Sequence, residues 1–216
     1  ISDENEYYGE LTGIYWLSKN VKMADNDLIG FCHYNKALKI NEKDIQLFFK
    51  SNPHGWIVSH EKEMPKHSDQ KEWEAFCAVI QKLYPDYFLT LQLTYKGDGY
   101  CEGCNCANMF ITTWKQFSSY CKFVFDICSD LRCIVGNNKK DKFDRRYCAF
   151  LAERLLTIYI RTEKLPCLKV KVCYAKQYVK IIMSIANILH LKKESHLYKA
   201  AKKWMLKGSF SSSYRR

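Results

Sequence analysis

The sequence lacks long hydrophobic runs, internal repeats and low-complexity linkers. No apolar run reaches the roughly 20 residues that a helix needs to cross a bilayer, so no transmembrane helix is expected. Without repeats or a linker, the 216 residues are expected to form one domain of ordinary size, long enough to bury a core. Hydrophobic residues make up 47% of the chain and charged residues 26%, a composition that excludes a disordered protein.

A disulfide framework is also not expected, although cysteine is abundant. The eleven cysteines are an odd number, and the sequence does not open with a signal-peptide pattern. We therefore expect reduced cysteines that act mostly as small core residues in a cytosolic protein.

Net positive charge is small over most of the chain and concentrated at its end. Residues 174–216 contain ten lysines and arginines and one acid, whereas residues 1–173 contain 24 bases and 22 acids. A nearly neutral body argues against a nucleic-acid-binding domain, which would carry the charge itself. A basic tail is typical of a segment that meets a membrane surface, an acidic partner or RNA. We expect a domain at 1–173 and a basic helical tail at 174–216.

The tail has the composition of a helix that lies in a lipid headgroup layer. Trp204 shares one helical face with apolar side chains, and lysines occupy the other face. The alternative is that Trp204 packs on the body and the lysines are only solvated.

Residue patterns along the chain indicate an α/β fold. Strands that are mixed with helices, with few hairpin turn signals between them, favour this class. The predicted helices cover 3–21, 45–50, 69–83, 114–135 and 145–164; the predicted strands cover 28–34, 56–59, 108–112 and 168–172; residues 96–105 are predicted as a loop.

Two patterns raise the question of a metal. CEGCNC places Cys101, Cys104 and Cys106 within six residues, and three thiolates can bind zinc with a fourth ligand from elsewhere. No second Cys or His pair follows at zinc-finger spacing, so a loop with incidental cysteines is the preferred interpretation. Asp25 and Asp27 form an Asp-x-Asp pair that could hold a divalent cation on a diphosphate. Because this pair precedes a predicted strand, a turn into the strand is preferred.

The segment DLIGFCHYNK, residues 27–36, is an apolar strand that ends on polar side chains. In open α/β sheets, ligands bind beyond the carboxyl ends of the strands. Tyr34 could stack on a base or sugar, His33 and Asn35 could bind hydroxyl groups, and Lys36 could neutralise a phosphate. The residue types alone favour the alternative, a core histidine and a solvated lysine.

Glu153 falls on the apolar stripe of a predicted helix. A carboxylate in that position either pairs with Arg145, Arg146 or Arg154, or has a raised pKa that would suit a general base.

The predicted first helix mixes aromatic and hydrogen-bonding side chains, as carbohydrate and nucleotide sites do. An amphipathic surface helix explains the pattern equally well. The side chains concerned include Asn5, Tyr7, Tyr8, Glu10, Thr12, Tyr15, Trp16, Lys19 and Asn20.

Four segments, in this order, resemble a known family. They are NEYYGELTGIYWLSKN, DLIGFCHYNKAL, NMFITTWKQFSSYCKFVFDI and FLAERLLTIYI. They are similar to the glycosyltransferase family of capsular and exopolysaccharide synthesis proteins, which carries a Gly-x-x-His-Tyr-Arg-Arg motif. The resemblance covers residues 1–172.

The resemblance implies a GT-A-like, Rossmann-related α/β fold and a sugar transferase that uses a nucleotide sugar, such as a UDP-galactose form. The acceptor would be a saccharide, usually lipid-linked, and the enzyme would lie at the cytoplasmic face of the membrane. The resemblance leaves open whether the enzyme uses a divalent cation, Mn or Mg. The resulting catalytic candidates are Glu153 and His33, and the donor or substrate candidates are Tyr8, Glu10, Thr12, Tyr15, Lys19, Asn20, Tyr34, Asn35, Lys36, Asn108 and Arg154.

Two departures from the family pattern matter. Asn35 and Lys36 replace the usual Arg-Arg, and an asparagine cannot hold a diphosphate bidentately. The chain also begins after the strand-helix unit with which family members usually open, so we expect an incomplete donor site. The alternative function is a non-enzymatic, zinc-containing binding module whose basic tail binds nucleic acid or acidic lipid.

Overall fold

The computed structural model describes residues 4–33, 36–105, 108–136, 141 and 144–174. The predictions for Tyr34, Asn35 and Cys106, and for the tail beyond residue 174, lie outside this part of the chain.

Helices and strands alternate along the described residues. The helices are α1 (Asn5–Tyr8), α2 (Leu11–Asn20), α3 (Glu42–Ser51), α4 (Gln70–Leu83), α5 (Pro85–Thr94), α6 (Trp114–Val135), α7 (Tyr147–Ala152) and α8 (Leu155–Thr162). The strands are β1 (Leu28–Phe31), β2 (Lys36–Leu38), β3 (Trp56–Ser59), β4 (Lys62–Met64), β5 (Cys101–Cys104), β6 (Phe110–Thr113), β7 (Cys167–Val170) and β8 (Val172–Tyr174). Among the described helices, none is long and apolar enough to cross a bilayer.

The main sheet is mixed and has the strand order β1-β6-β3-β7. Strand β6 runs antiparallel to β1 and β3, and β3 runs parallel to β7. Two smaller antiparallel pairs, β2 with β8 and β4 with β5, extend the fold beside this sheet. The architecture is therefore mixed α/β.

The core lies between the main sheet and α6. All four residues of β3 are buried, as expected for a strand with neighbours on both sides. The Trp56 ring lies 5.1 Å from the Phe110 ring and 5.4 Å from the Tyr120 ring, which links β3, β6 and α6. Since burial of one large apolar side chain contributes about 1.5–3 kcal/mol, this cluster stabilises the packing of the sheet against α6.

Strong local signals were read correctly from the sequence. The predicted bounds of β3 and α6 agree with the structure. The helix predicted over 69–83 is α4, which begins one residue later because Asp69 caps it and accepts hydrogen bonds from the backbone N–H groups of Lys71 and Glu72.

Other predictions were wrong. The helices predicted over 3–21 and 145–164 are each divided into two, and β5 lies inside the predicted loop 96–105. Strand β5 is short and contains a glycine, so its pairing with β4 decides its conformation rather than its own propensity.

Candidate active site

Polar side chains gather at one edge of the main sheet. Because β6 is antiparallel to both β1 and β3, and β7 is parallel to β3, the carboxyl ends of β1, β3 and β7 share that edge. Phe110 pairs with both Phe31 and Val58, so the three strands are level there. His33, two residues beyond β1, and Asn108, two residues before β6, therefore extend past the same edge, where open α/β sheets bind ligands.

Glu10 lies at the junction between α1 and α2. The preceding Gly9 has a φ of 51° and a ψ of −128°, a conformation that is accessible almost only to glycine. This bend ends α1 and turns Glu10 toward the sheet edge. One carboxylate oxygen, Oε2, lies 3.1 Å from Nδ1 of His33.

Glu153 lies at a second helix junction, between α7 and α8. In a continuous helix the backbone N–H of Arg154 would donate to the carbonyl of Phe150. Here the Phe150 carbonyl instead accepts a hydrogen bond of 2.8 Å from Nη1 of the Arg154 guanidinium. The backbone N–H of Arg154 donates to the carbonyl of Leu151, at an N–O distance of 3.1 Å. The helix is therefore interrupted at Glu153, which half-exposes this carboxylate at the sheet edge.

The pKa values of both carboxyl groups are raised. Burial is the main cause of the raised pKa of Glu153, and the neighbouring charge of Glu10 adds to it, while His33, Arg154 and Lys36 act in the opposite direction. Burial also raises the pKa of Glu10, against the influence of Arg146, Lys36 and the Asn108 amide. A raised pKa brings a carboxyl group closer to the range in which it exchanges protons with a substrate near neutral pH.

Two clefts meet beside the Glu10 and Glu153 carboxyl groups, and both are lined by His33, Phe150 and Glu153. The first, of about 420 Å³, is lined by Lys36, Lys62 and Lys66 and is called the lysine cleft here. The second, of about 540 Å³, is called the Gly9 cleft. Its further lining residues are Asn5, Glu6, Gly9, Glu10, Cys32, Arg146 and Ala149.

Asn108 connects the Glu10 carboxylate with the core. Its side chain is buried, and its Oδ1 accepts a hydrogen bond of 3.1 Å from the Tyr120 hydroxyl. Burial raises the pKa of Tyr120, which keeps this hydroxyl a donor. The Asn108 amide nitrogen faces Glu10 and lowers the pKa of that carboxyl group, but it makes no hydrogen bond of normal geometry with the described residues.

Comparison with known proteins assigns the chain to a family. The family described as domain of unknown function DUF4422 matches residues 1–164. The chain belongs to this family. No curated protein matches it.

A solved structure, the apo form of the WbbM bifunctional glycosyltransferase, shares the fold of this DUF4422 chain. The TM-score is 0.65 at 22% sequence identity, and the match covers 81% of this chain and 37% of that one. The DUF4422 domain therefore has a fold that occurs within a glycosyltransferase, and the chain spans little more than a third of that protein.

The structure divides the sequence-predicted site residues of this DUF4422 domain into two groups. Glu10, His33, Lys36, Asn108 and Glu153 lie together at the sheet edge, and Arg154 also lines the lysine cleft, beside Glu153. Tyr34 and Asn35 lie outside the described residues.

The second group lies between α2 and α6. Tyr8, Thr12, Tyr15 and Lys19 line a separate cleft of about 460 Å³ that also contains Arg132. Asn20 lines none of these three clefts. It lies at the end of α2, where its side-chain amide donates a hydrogen bond to the carbonyl of Trp16.

The candidate metal ligands are not gathered at the sheet edge. Asp27 accepts the backbone N–H of Ala24 at 2.8 Å, and the turn that holds Asp25 and Asp27 precedes β1, at the end opposite His33. Cys101 and Cys104 are buried in β5, and burial raises the pKa of the Cys101 thiol, which opposes the thiolate that zinc requires. Within the described ranges, no three His, Cys, Asp or Glu side chains are placed to share a metal ion.

Sequence reasoning missed several groups that line the clefts. Lys62 and Lys66 carried no local signal, because only the pairing of β4 with β5 brings them to the sheet edge. His67 lines the lysine cleft and forms a buried pair with Glu72, with Nε2 of His67 2.6 Å from Oε2 of Glu72. Their five-residue spacing across a helix start gave no periodic pattern that would have indicated this contact.

Proposed function

We propose that this domain transfers a sugar from a nucleotide-sugar donor, such as a UDP-galactose form, to a saccharide acceptor. One observation carries the proposal: Glu153, a carboxyl group with a raised pKa, lies between two clefts at the carboxyl edge of the sheet. The fold shared with a part of a glycosyltransferase supports the reaction class.

The lysine cleft is the proposed site of the donor diphosphate. Lys36, Lys62 and Lys66 bring three positive charges to its lining, against the carboxyl groups of Glu63 and Glu153. Lysine acts on phosphate as a mobile point charge, so it can follow a leaving diphosphate without the fixed bidentate geometry of arginine. This placement accounts for Lys36 at a position where the resembled motif has arginine.

The Gly9 cleft is the proposed site of the acceptor. Glu153 accepts the proton of an acceptor hydroxyl while the hydroxyl oxygen forms a bond to the anomeric carbon of the donor sugar. The bond between that carbon and the diphosphate breaks, and the diphosphate leaves with the electron pair toward the lysines. The Glu10–His33 pair, at 3.1 Å, keeps the imidazole of His33 oriented between the two clefts.

Nucleotide sugars tested one at a time would check this function. A bound ligand at a hundred times its dissociation constant stabilises a protein by about 2.7 kcal/mol, which is visible as a thermal shift. We expect a shift with one nucleoside diphosphate sugar and release of the nucleoside diphosphate when a saccharide acceptor is added. Repeating the assay with EDTA shows whether a divalent cation is needed. Absence of transfer with every donor would refute the proposal.

Residues 174–216 are proposed to hold the enzyme at the inner face of the membrane, where a lipid-linked acceptor would lie. Each lysine or arginine close to an anionic surface contributes about 1 kcal/mol, and this segment carries ten of them. Co-sedimentation with liposomes, comparing the whole chain with residues 1–173, tests this role. Binding should require anionic lipid, weaken with salt and disappear on truncation; equal recovery of both chains in the supernatant would refute it.

A further inference from the structure

We propose that Arg154 is a positioning residue, which fixes both the Glu153 carboxylate and the wall of the lysine cleft, rather than a ligand of the donor. The inference rests on the proposed function, because it assigns the residue a part in that reaction.

Arg154 is 3% exposed, and its guanidinium donates to three carbonyl groups. The Nη1–Phe150 and Nη2–Pro65 distances are 2.8 Å each, and the Nε–Gly99 distance is 3.2 Å. The three acceptors belong to α7, to the segment after β4 and to the turn before β5. The guanidinium carbon also lies 5.8 Å from the centre of the Trp73 ring in α4.

The contact with Phe150 determines where Glu153 points. By taking this carbonyl, the guanidinium replaces the backbone N–H that would continue the helical hydrogen-bond pattern, which is therefore broken between Glu153 and Arg154. The fixed fork of arginine is needed for this, because a lysine ammonium presents one nitrogen and cannot reach three carbonyls in different directions.

The contact with Pro65 determines the position of the cleft wall. Residues 65–68 follow β4 and bring Lys66 and His67 to the lysine cleft. The same wall is held on its other side by the His67–Glu72 pair, whose side chains are both 5% exposed, and by the His67 backbone N–H on the Asp98 carbonyl. Arg154 therefore links the proposed base to the proposed donor site through one rigid, buried group.

Arg154→Lys tests this role, with Arg161→Lys as the matched control. Arg161 lies near the end of α8, the helix that begins directly after Arg154, and also donates to a carbonyl, that of Gly103, but it is 40% exposed and lies outside both clefts. We expect kcat of Arg154→Lys to fall by about 10–100-fold, as for a misplaced catalytic group, with a smaller rise in the donor KM because the wall of the lysine cleft shifts. Arg161→Lys should stay within about twofold of the wild type in both constants.

The pH profile gives a readout that a merely structural residue would not move. Glu153 faces Glu10, His33, Lys36 and Arg154, and Arg154 lowers its pKa. In Arg154→Lys the ammonium group cannot occupy the place of the guanidinium, so the acid limb of kcat/KM should move to higher pH, whereas it should stay in place in Arg161→Lys. A raised donor KM with unchanged kcat would instead make Arg154 a donor ligand and overturn the proposal.

Two measurements decide the question without turnover. Hydrogen exchange at residues 62–68 and 147–156 should accelerate in Arg154→Lys and not in Arg161→Lys; equal exchange in both would overturn the proposal even if no sugar is transferred. In the wild type, the Arg154 Nε–H resonance should be protected and nearly unchanged when a nucleotide sugar or UDP is added. A large shift of that resonance on saturation would contradict the positioning role, and this test holds even if Arg154→Lys does not fold.

Discussion

The two helix junctions at the site interrupt their helices by different means. At Gly9 the backbone itself adopts a conformation with a φ of 51°. At Glu153 the backbone stays helical, with a φ of −58° and a ψ of −20°, and the Arg154 side chain displaces a backbone donor. The first break is encoded by one residue, whereas the second depends on the distant carbonyls of Pro65 and Gly99. Each junction presents one carboxylate, so the two can be disturbed separately.

The largest effect is expected at the carboxylate of the second junction. Glu153→Gln keeps the shape and removes the proton acceptor, so turnover should fall by about 100-fold or more while the protein stays folded. The measurement is kcat with a saturating nucleotide sugar, beside circular dichroism. Glu102→Gln, at an exposed position in β5, is the control and should be near wild type. Unchanged turnover in Glu153→Gln would remove this residue from the mechanism.

The second-largest effect is expected from Gly9→Ala, which disturbs the backbone conformation of the first junction. An alanine Cβ at position 9 would lie 2.5 Å from Nη2 of Arg146, and the φ of 51° strains any residue with a side chain. Gly9→Ala should therefore lower the free energy of unfolding by about 1–3 kcal/mol, measured by chemical denaturation.

Gly13→Ala, inside α2, is the control for that substitution. Nothing lies within 4 Å of its added Cβ, so it should raise stability by about 0.5–1 kcal/mol. A combined Gly9→Ala, Arg146→Ala chain separates the two causes, because it relieves the clash but keeps the backbone strain. Equal stability of Gly9→Ala and Gly13→Ala would show that the junction does not need glycine.

Glu153 should lower the free energy of unfolding at neutral pH, although the proposed reaction needs it as the proton acceptor. A carboxyl group whose folded pKa is raised destabilises the folded state once the pH exceeds its unfolded pKa of about 4.3. Glu153→Gln should therefore have a higher free energy of unfolding than the wild type at pH 7, by about 1.4 kcal/mol per unit of pKa difference. The gain should shrink as the pH falls toward about 4.3 and vanish below it, where the carboxyl group is neutral in both states. A less stable Glu153→Gln at pH 7 would indicate a favourable ion pair instead.

The contrast between the junctions also explains what the sequence could predict. Strand β3 and helix α6 follow from local patterns, and the apolar stripe that singled out Glu153 is real up to Ala152, where α7 ends. The break itself was not predicted, because the Arg154 guanidinium that occupies the Phe150 carbonyl is held in place by tertiary hydrogen bonds to Pro65 and Gly99. Gly9 was overlooked for a different reason: a single glycine inside a helical pattern is usually tolerated, and only its φ shows the bend.

The polar first helix shows the limit of composition as a guide to a site. Glu10 and Tyr15 belong to the same pattern of aromatic and polar residues, yet Glu10 faces His33 and Tyr15 packs edge-on against Phe125 of α6. Composition predicts which side chains suit a sugar, but the bend at Gly9 decides which of them reach the sheet edge.

The smallest effect should come from Lys36, the cation that acts on both junction carboxylates. Lys36 lowers the pKa of Glu10 and of Glu153, so Lys36→Met should raise both pKa values. Because Glu153 must be ionised to accept a proton, the acid limb of kcat/KM should move to higher pH. The shift should be less than about one pH unit, since a charge at 4 Å in water contributes about 1 kcal/mol, against about 1.4 kcal/mol per pKa unit.

Lys39→Met is the control for this substitution. Lys39 is an exposed neighbour just after β2, so its replacement removes the same charge away from both clefts and should leave the acid limb in place. Measured again at about 1 M salt, where the Debye length is about 3 Å, the difference between the two variants should shrink. A shift of the acid limb to lower pH, or an equal shift in Lys39→Met, would contradict the electrostatic link between Lys36 and the two junctions.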